Sequence, residues 1–298
     1  MKKILLFFED NWAFGSIHRG LQKELYKNGI YADILDWRIK YSLEEIKYII
    51  DTYDYFVTSS GEINILINYN VPKEKIISIA HAAIDIFKAN SNNIPLITNY
   101  YSIHNFAVIN PELKYLAQFS GATKDVKIVR NGIHFDYFYA KPSNCLKTVG
   151  YATSMRSTNF FGQDKKRGYL VQKCAEISNC NFNPIKDHHF LAMNGYYKTV
   201  DCVIQSATEE ACGLSMLEAA AAGRLCIGSN TGYIKYNSPY CGHTVPIDET
   251  CFLDETVAIL NYYKENSKEY QEKCLSIQEH AKSKYDWSVV IQDWINLF

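Results

Sequence analysis

Short apolar runs separated by amphipathic stretches organise this chain. In the first half the runs are Ile4–Phe8, Ala32–Leu35, Tyr55–Thr58, Ile76–Ile79, Leu96–Thr98 and Ala107–Ile109. Between several of them, apolar residues recur at helical spacing. Ser16–Asn28 is one such stretch: Ile17, Leu21 and Leu25 share a stripe, Ser16 suits the N-cap and Gly29 follows the end. Leu43–Asp51 is another. The scheme repeats in the second half with Thr148–Tyr151, Cys180–Phe182, Cys202–Gln205, Leu225–Ile227 and Thr244–Val245. Continuous apolar strands joined by helices imply parallel sheets covered on both faces. The pattern therefore predicts two doubly wound, Rossmann-like α/β domains joined around Tyr139–Cys145. In such sheets ligands bind at the carboxyl ends of the strands, and a central cleft between the halves is the expected site.

One stretch breaks the amphipathic rule. In EEACGLSMLEAAAAGRLCIGSNTG, Glu209–Gly232, the helix-forming part from Leu214 to Ala222 carries small and apolar residues on all sides, with Glu218 its sole charge. Such a helix is expected to be buried on several sides, so Glu218 needs a partner. The preceding DCVIQSATEE reads as strand then loop, which sets Glu210 and Gly213 at a strand's carboxyl end and Leu214 at a helix start. Free N–H groups there suit a phosphate, and Gly213 permits close backbone approach. A carboxylate one turn into the helix suits hydroxyl donors such as a ribose or a sugar.

Composition narrows the field. With 298 residues, 47% hydrophobic and 21% charged, the chain has material for two ordinary domains. A net charge of -1 with scattered Lys and Arg gives no general attraction to nucleic acid or an anionic membrane. Glu9 and Asp10 cut the opening apolar run short, so Ile4–Phe8 is expected to be a strand and not a signal sequence. No run approaches the about 20 apolar residues of a spanning helix. The nine cysteines all lie from Cys145 onward without C-x-x-C spacing, as in a cytoplasmic protein with reduced thiols. A soluble cytoplasmic protein is expected, with peripheral membrane contact still compatible.

Glu210 and Glu218, with seven residues between them, resemble the E-x7-E motif of retaining GT-B glycosyltransferases, especially the large group classed as family 4. The flanks are similar as well: YYKTVDCVIQSA before the motif, GRLCIGSNTG after it, VRNGIHFDYF (Val129–Phe138), VGYATSMR (Val149–Arg156), KKRGYL (Lys165–Leu170) and the closing YDWSVVIQDW (Tyr285–Trp294). The resemblance implies a GT-B fold with an acceptor domain at 1–141, a nucleotide-sugar domain at 142–284 and a returning helix at 285–298.

It also implies roles. Glu218 takes the donor ribose and Glu210 the transferred sugar, while Gly213 and Leu214 offer N–H groups to phosphate. Arg156 and either Lys166 or Arg167 neutralise the diphosphate, and Cys212 and Gly15 complete the donor set. His81, at a strand end, stands near the reacting centre. The implied activity is metal-independent transfer, with retention, from a nucleotide-diphosphate sugar (a UDP- or GDP-sugar first) to a glycan or other hydroxyl acceptor, without a further cofactor. The chain has no D-x-D pair. Ala211 replaces the family's usual Gly, Cys212 an aromatic residue and Ser215 a Pro, and only Gly15 remains of a glycine pair. These departures keep two alternatives open: a nucleotide-sugar epimerase of the same fold, and a non-catalytic nucleotide-sugar-binding partner subunit.

Overall fold

A computed structural model describes residues 1–9, 12–87, 103–122, 125–155, 157–158, 162–185 and 189–298. The chain divides into two compact units, Met1–Gly132 together with Trp287–Phe298, and Ile133–Asp286. Each is a parallel sheet flanked by helices, the α/β architecture that the alternating pattern predicts.

The first unit holds strands β1 (Lys3–Phe7), β2 (Tyr31–Leu35), β3 (Tyr55–Ser59), β4 (Ile76–Ala80), β5 (Asn105–Val108) and β6 (Lys127–Ile128). They pair in parallel in the order β2-β1-β3-β4-β5-β6. Ile4, Leu5, Leu6, Phe56, Val57, Ile76, Ile77 and Ile79 are buried, which is why these strands read as nearly continuous apolar runs, with Thr58 and Ser78 the buried polar exceptions. β6 has two exposed residues and left no apolar run to find. The expected strand Leu96–Thr98 falls outside the described residues.

Local chemistry sets the helix boundaries. Ser42 and Glu45 form a capping box ahead of Leu43–Thr52, and Asn110 accepts the Leu113 N–H ahead of Pro111–Phe119. The first helix departs from expectation: it spans Trp12–Lys27, so Ser16 lies inside it and is not its N-cap. The stripe of Ile17, Leu21 and Leu25 is buried as predicted, and Gly29 ends the helix at φ +73°.

The second unit holds β7 (Thr148–Tyr151), β8 (Asn181–Pro184), β9 (Cys202–Gln205), β10 (Leu225–Ser229) and β11 (His243–Val245), all parallel, in the order β11-β10-β9-β7-β8. The chain leaves β7 toward one edge and returns to fill the other, so the order reverses between β7 and β9. In open α/β sheets that switch point, at the strands' carboxyl ends, is where ligands bind. Here those ends are Tyr151 and Gln205. Among the described residues no helix is long and apolar enough to cross a membrane.

The last helix, Trp287–Ile295, belongs to the first unit, where Trp287 and Trp294 are buried. Trp294 Nε1 donates to the Arg130 carbonyl at 2.9 Å, and Arg130 Nε donates to Asp293 Oδ2 at 2.7 Å. The Trp287 indole occupies the space a side chain would need at Gly20 and Gly132: an added Cβ would sit 2.1 Å and 2.4 Å from its ring atoms. Gly132→Ala is therefore expected to destabilise the protein by about 1–3 kcal/mol through overpacking. Chemical denaturation against the wild type checks this, with the m-value expected to be unchanged.

Candidate functional site

The switch point of the second sheet gathers the sequence-predicted residues most densely. β9 ends at Gln205, and the chain then runs through Ser206–Cys212 to Gly213, which starts the helix Leu214–Ala221. Gly213 adopts φ +70° and ψ 56°, a left-handed conformation that favours glycine. A Cβ there would lie 3.0–3.3 Å from the Gln205 amide and Glu210 Cγ. Gly232 (φ +53°), which begins the next helix, would place a Cβ 3.0 Å from the same Glu210 Cγ. The Glu210 side chain thus runs between two glycines.

Two donors meet at Glu210. Lys166 Nζ donates to its Oε2 at 2.7 Å, and Gln205 Nε2 donates to the same oxygen at 3.2 Å. Lys166 and Glu210 keep 17% and 21% of their side chains exposed, whereas Gln205 is buried and its Oε1 has no partner among the described residues. The turn carrying Lys166 is held from beneath. Asp164 Oδ1 accepts the N–H groups of Ser157, Lys166 and Arg167, and the Tyr151 hydroxyl donates to the Lys166 carbonyl at 2.7 Å.

Arg167, the neighbouring cation, faces another way. It is buried in a left-handed conformation (φ 51°), its Nε donates to the Ser206 carbonyl at 2.8 Å and its Nη1 to the Ile247 carbonyl at 2.6 Å. The guanidinium also lies over the Phe252 ring. These bonds tie the Lys166 turn to the ends of β9 and β11, and the strain of a non-glycine residue at positive φ is held by them. Arg167 Nη2 stays buried without a partner among the described residues. Of the two cations between which the sequence left a choice, Lys166 is the one beside Glu210.

Cys212 is half-buried, and its carbonyl accepts the Tyr233 N–H at 2.7 Å. Leu214 is the first residue of its helix. Glu218 sits deeper. Met216–Ala221 are all buried, as the lack of a polar face predicts, and the partner Glu218 needs is Tyr197, whose hydroxyl donates to Oε2 at 2.8 Å. No cation among the described residues pairs with it, so burial pushes its carboxyl up to about 8, against the opposing hydrogen bond.

In the first unit, His81 follows β4 at its carboxyl end. Asp85 Oδ2 accepts its backbone N–H at 2.8 Å and that of Ala82 at 2.9 Å. Burial lowers the imidazole to about 4, and Nε2 has no partner. Its ring packs edge-on against Phe14 at 5.0 Å, and the other neighbour of Phe14 is His18, fully buried and stacked on Phe8 at 3.4 Å. Burial first, and His81 second, hold His18 well below the usual imidazole range. Gly15 is buried in the first turns of the same helix and is not among the glycines with positive φ. Arg156 lies outside the described residues.

Sequence reasoning overlooked Gln205, Tyr197, Asp164 and His18. Tyr197 and Gln205 stand inside the quoted YYKTVDCVIQSA, where a Gln closing an otherwise apolar strand was the available signal. Asp164 and His18 left none.

No protein-family model matches the chain, and no curated protein is similar to it in sequence. Similarity to solved structures is extensive. The catalytic domain of starch synthase IV from Arabidopsis thaliana, bound to ADP and acarbose, superposes with a TM-score of 0.76 at 10% identity, covering 100% of this chain and 98% of that one. Anabaena HepE in complex with UDP gives 0.71 at 12% identity, covering 99% of each chain. S. aureus TarM, in complex with fondaparinux, alpha-GlcNAc-glycerol and UDP, gives 0.66 at 14% identity over 86% of this chain, which spans 58% of TarM. These neighbours are GT-B glycosyltransferases, and the fold of this chain is GT-B.

Buried Glu218 makes a prediction with a definite sign. Its folded value near 8 lies above its ordinary value of 4.5, so folding holds a proton that the unfolded chain releases. Stability is then lost as pH rises from about 4.5 through 8. Glu218→Gln, which cannot titrate, should flatten this slope and gain on the order of 3 kcal/mol relative to wild type between pH 5 and pH 8. Denaturant midpoints of both proteins across that range test it, and parallel curves would remove the carboxyl from this account.

Proposed function

We propose that the protein is a retaining, metal-independent glycosyltransferase whose second unit binds a nucleotide-diphosphate sugar and whose first unit binds the hydroxyl acceptor. The observation that carries this reading is the convergence of Lys166, Glu210, Gln205 and the Gly213 helix start at the switch point of the second sheet. That place combines a sheltered cation, a carboxylate and a helix N-terminus, which are the groups a phosphorylated sugar requires. The UDP and ADP bound to structural neighbours support a nucleoside diphosphate as its common element.

In this reading the helix N–H groups and Lys166 stabilise charge on the departing diphosphate. Arg156 joins them, as the resemblance implies. Glu210 faces the sugar, which acquires oxocarbenium-like positive charge as its bond to the diphosphate breaks. Glu218, held by Tyr197 through Oε2, offers Oε1 to the ribose hydroxyls. Arg167 supports the Lys166 turn through its bonds to the Ser206 and Ile247 carbonyls. His81, a neutral imidazole, receives an acceptor or sugar hydroxyl.

Calorimetry with UDP, GDP and ADP, followed by incubation with the matching sugars, tests the reading. Lys166→Ala is expected to weaken nucleoside diphosphate binding by about 1.5–3 kcal/mol, the range for hydrogen bonds to charged groups. Transfer should survive EDTA, and proton NMR of the first-formed product should show the donor's anomeric configuration. Binding without turnover would identify the non-catalytic alternative, a rearranged sugar released without acceptor the epimerase, and an inverted anomer would overturn retention.

A further inference from the structure

Two donors of unlike mobility converge on one oxygen of Glu210. Lys166 is a point charge on a flexible four-carbon stem with three donors, and it can turn toward a second anion. Gln205 cannot follow. It is buried at the end of β9, its amide lies against Gly213, and Nε2 donates to Glu210 while Oε1 has no partner among the described residues. Glu210 itself is confined where its Cγ passes between Gly213 and Gly232. If Lys166 leaves, Gln205 still holds the carboxylate where it was.

We infer, on the reading that this site takes a nucleotide-diphosphate sugar, that Lys166 exchanges Glu210 for the diphosphate and that Gln205 is the positioning residue that keeps Glu210 in place afterwards. In the structure the lysine neutralises the carboxylate. A diphosphate carries more charge than one carboxylate and draws Lys166 to itself, which exposes the negative charge of Glu210 to the sugar only when the donor is bound. A carboxylate already aimed by Gln205 needs no reorganisation as positive charge develops on the sugar. Glu210 is thus a competitor for the cation before binding and an electrostatic partner of the reaction after it.

The exchange makes an unusual demand on Glu210→Gln: loss of the carboxylate should tighten nucleotide binding while slowing transfer. Titrating UDP into wild type and Glu210→Gln by calorimetry should give an affinity about three- to tenfold higher for the variant, the range for losing one sheltered competing ion pair. Glu210→Ala should tighten binding in the same way and serves as the second carboxylate-free variant. In a Lys166→Ala background the Glu210→Gln change should alter UDP affinity by less than about twofold, because the cation in dispute is gone. Gln205→Met, which keeps volume and removes the amide, should leave UDP affinity and the donor KM within about twofold but lower kcat about tenfold. Carboxylate-free variants that bind UDP no more tightly than wild type would overturn the exchange, and Gln205→Met with wild-type kcat would overturn the positioning role. A wild-type protein that binds neither UDP, GDP nor ADP would instead overturn the donor reading on which both rest.

Discussion

The left-handed turn at Gly213 is the constraint on which the second unit's site depends. It lets the chain pass from β9 into the helix Leu214–Ala221 with its Cα against the Gln205 amide, where a side chain would be strained by the positive φ and would press its Cβ to 3.0–3.1 Å from that amide. That contact fixes where Glu210 emerges, and Gly232 bounds it on the other side. Lys166 reaches Glu210 because Arg167, buried behind it, is bonded to the carbonyls of Ser206 and Ile247. Backbone geometry therefore sets the positions of the charges, and the ion pair follows from those positions.

Much of this architecture is legible in the order of residues because buried parallel strands leave a strong mark. Cys202–Gln205 and Thr148–Tyr151 are apolar at almost every position, and the structure bounds both as the pattern does. The helix with no polar face announces its burial in the same way. What stays hidden has a physical reason. β6 is exposed and two residues long, so no hydrophobic demand marks it. The first helix begins at Trp12, ahead of the Ser16 whose side chain reads as a cap, because a capping residue type is also tolerated inside a helix and does not by itself mark a start. At the site, residue types are readable but directions are not: nothing in KKRG tells that Lys166 faces a carboxylate and Arg167 faces carbonyls. That choice is made by the left-handed turn at Arg167, a conformation the residue type does not suggest.

Glu218 shows how a partner can be present yet fail to settle a charge. The phenol of Tyr197 contributes one hydrogen bond, and burial still dominates, so the neutral acid is favoured. A protonated carboxyl can donate as well as accept, and it is less costly to bury than an unpaired anion. Under the proposed function the ribose hydroxyls add donors to this carboxyl, which favours its ionised form. Nucleotide binding and deprotonation of Glu218 are then linked, and affinity gains from rising pH over the range in which the folded apoprotein loses stability.

The polar ends of the two sheets differ in kind, and the difference bears on what each can bind. In the second unit the strand ends present a cation, a carboxylate and a helix start, a set matched to a charged ligand. In the first unit, the end of β4 presents His81, with His18 against the same Phe14 ring, and burial keeps both imidazoles neutral. A neutral imidazole offers one donor and one acceptor, which complements a hydroxyl and not a phosphate. Three buried imidazole nitrogens there have no partner among the described residues, a destabilising arrangement that apolar side chains of similar shape would avoid. A hydroxyl is the partner a neutral imidazole takes, and this is the chemistry the proposed acceptor brings.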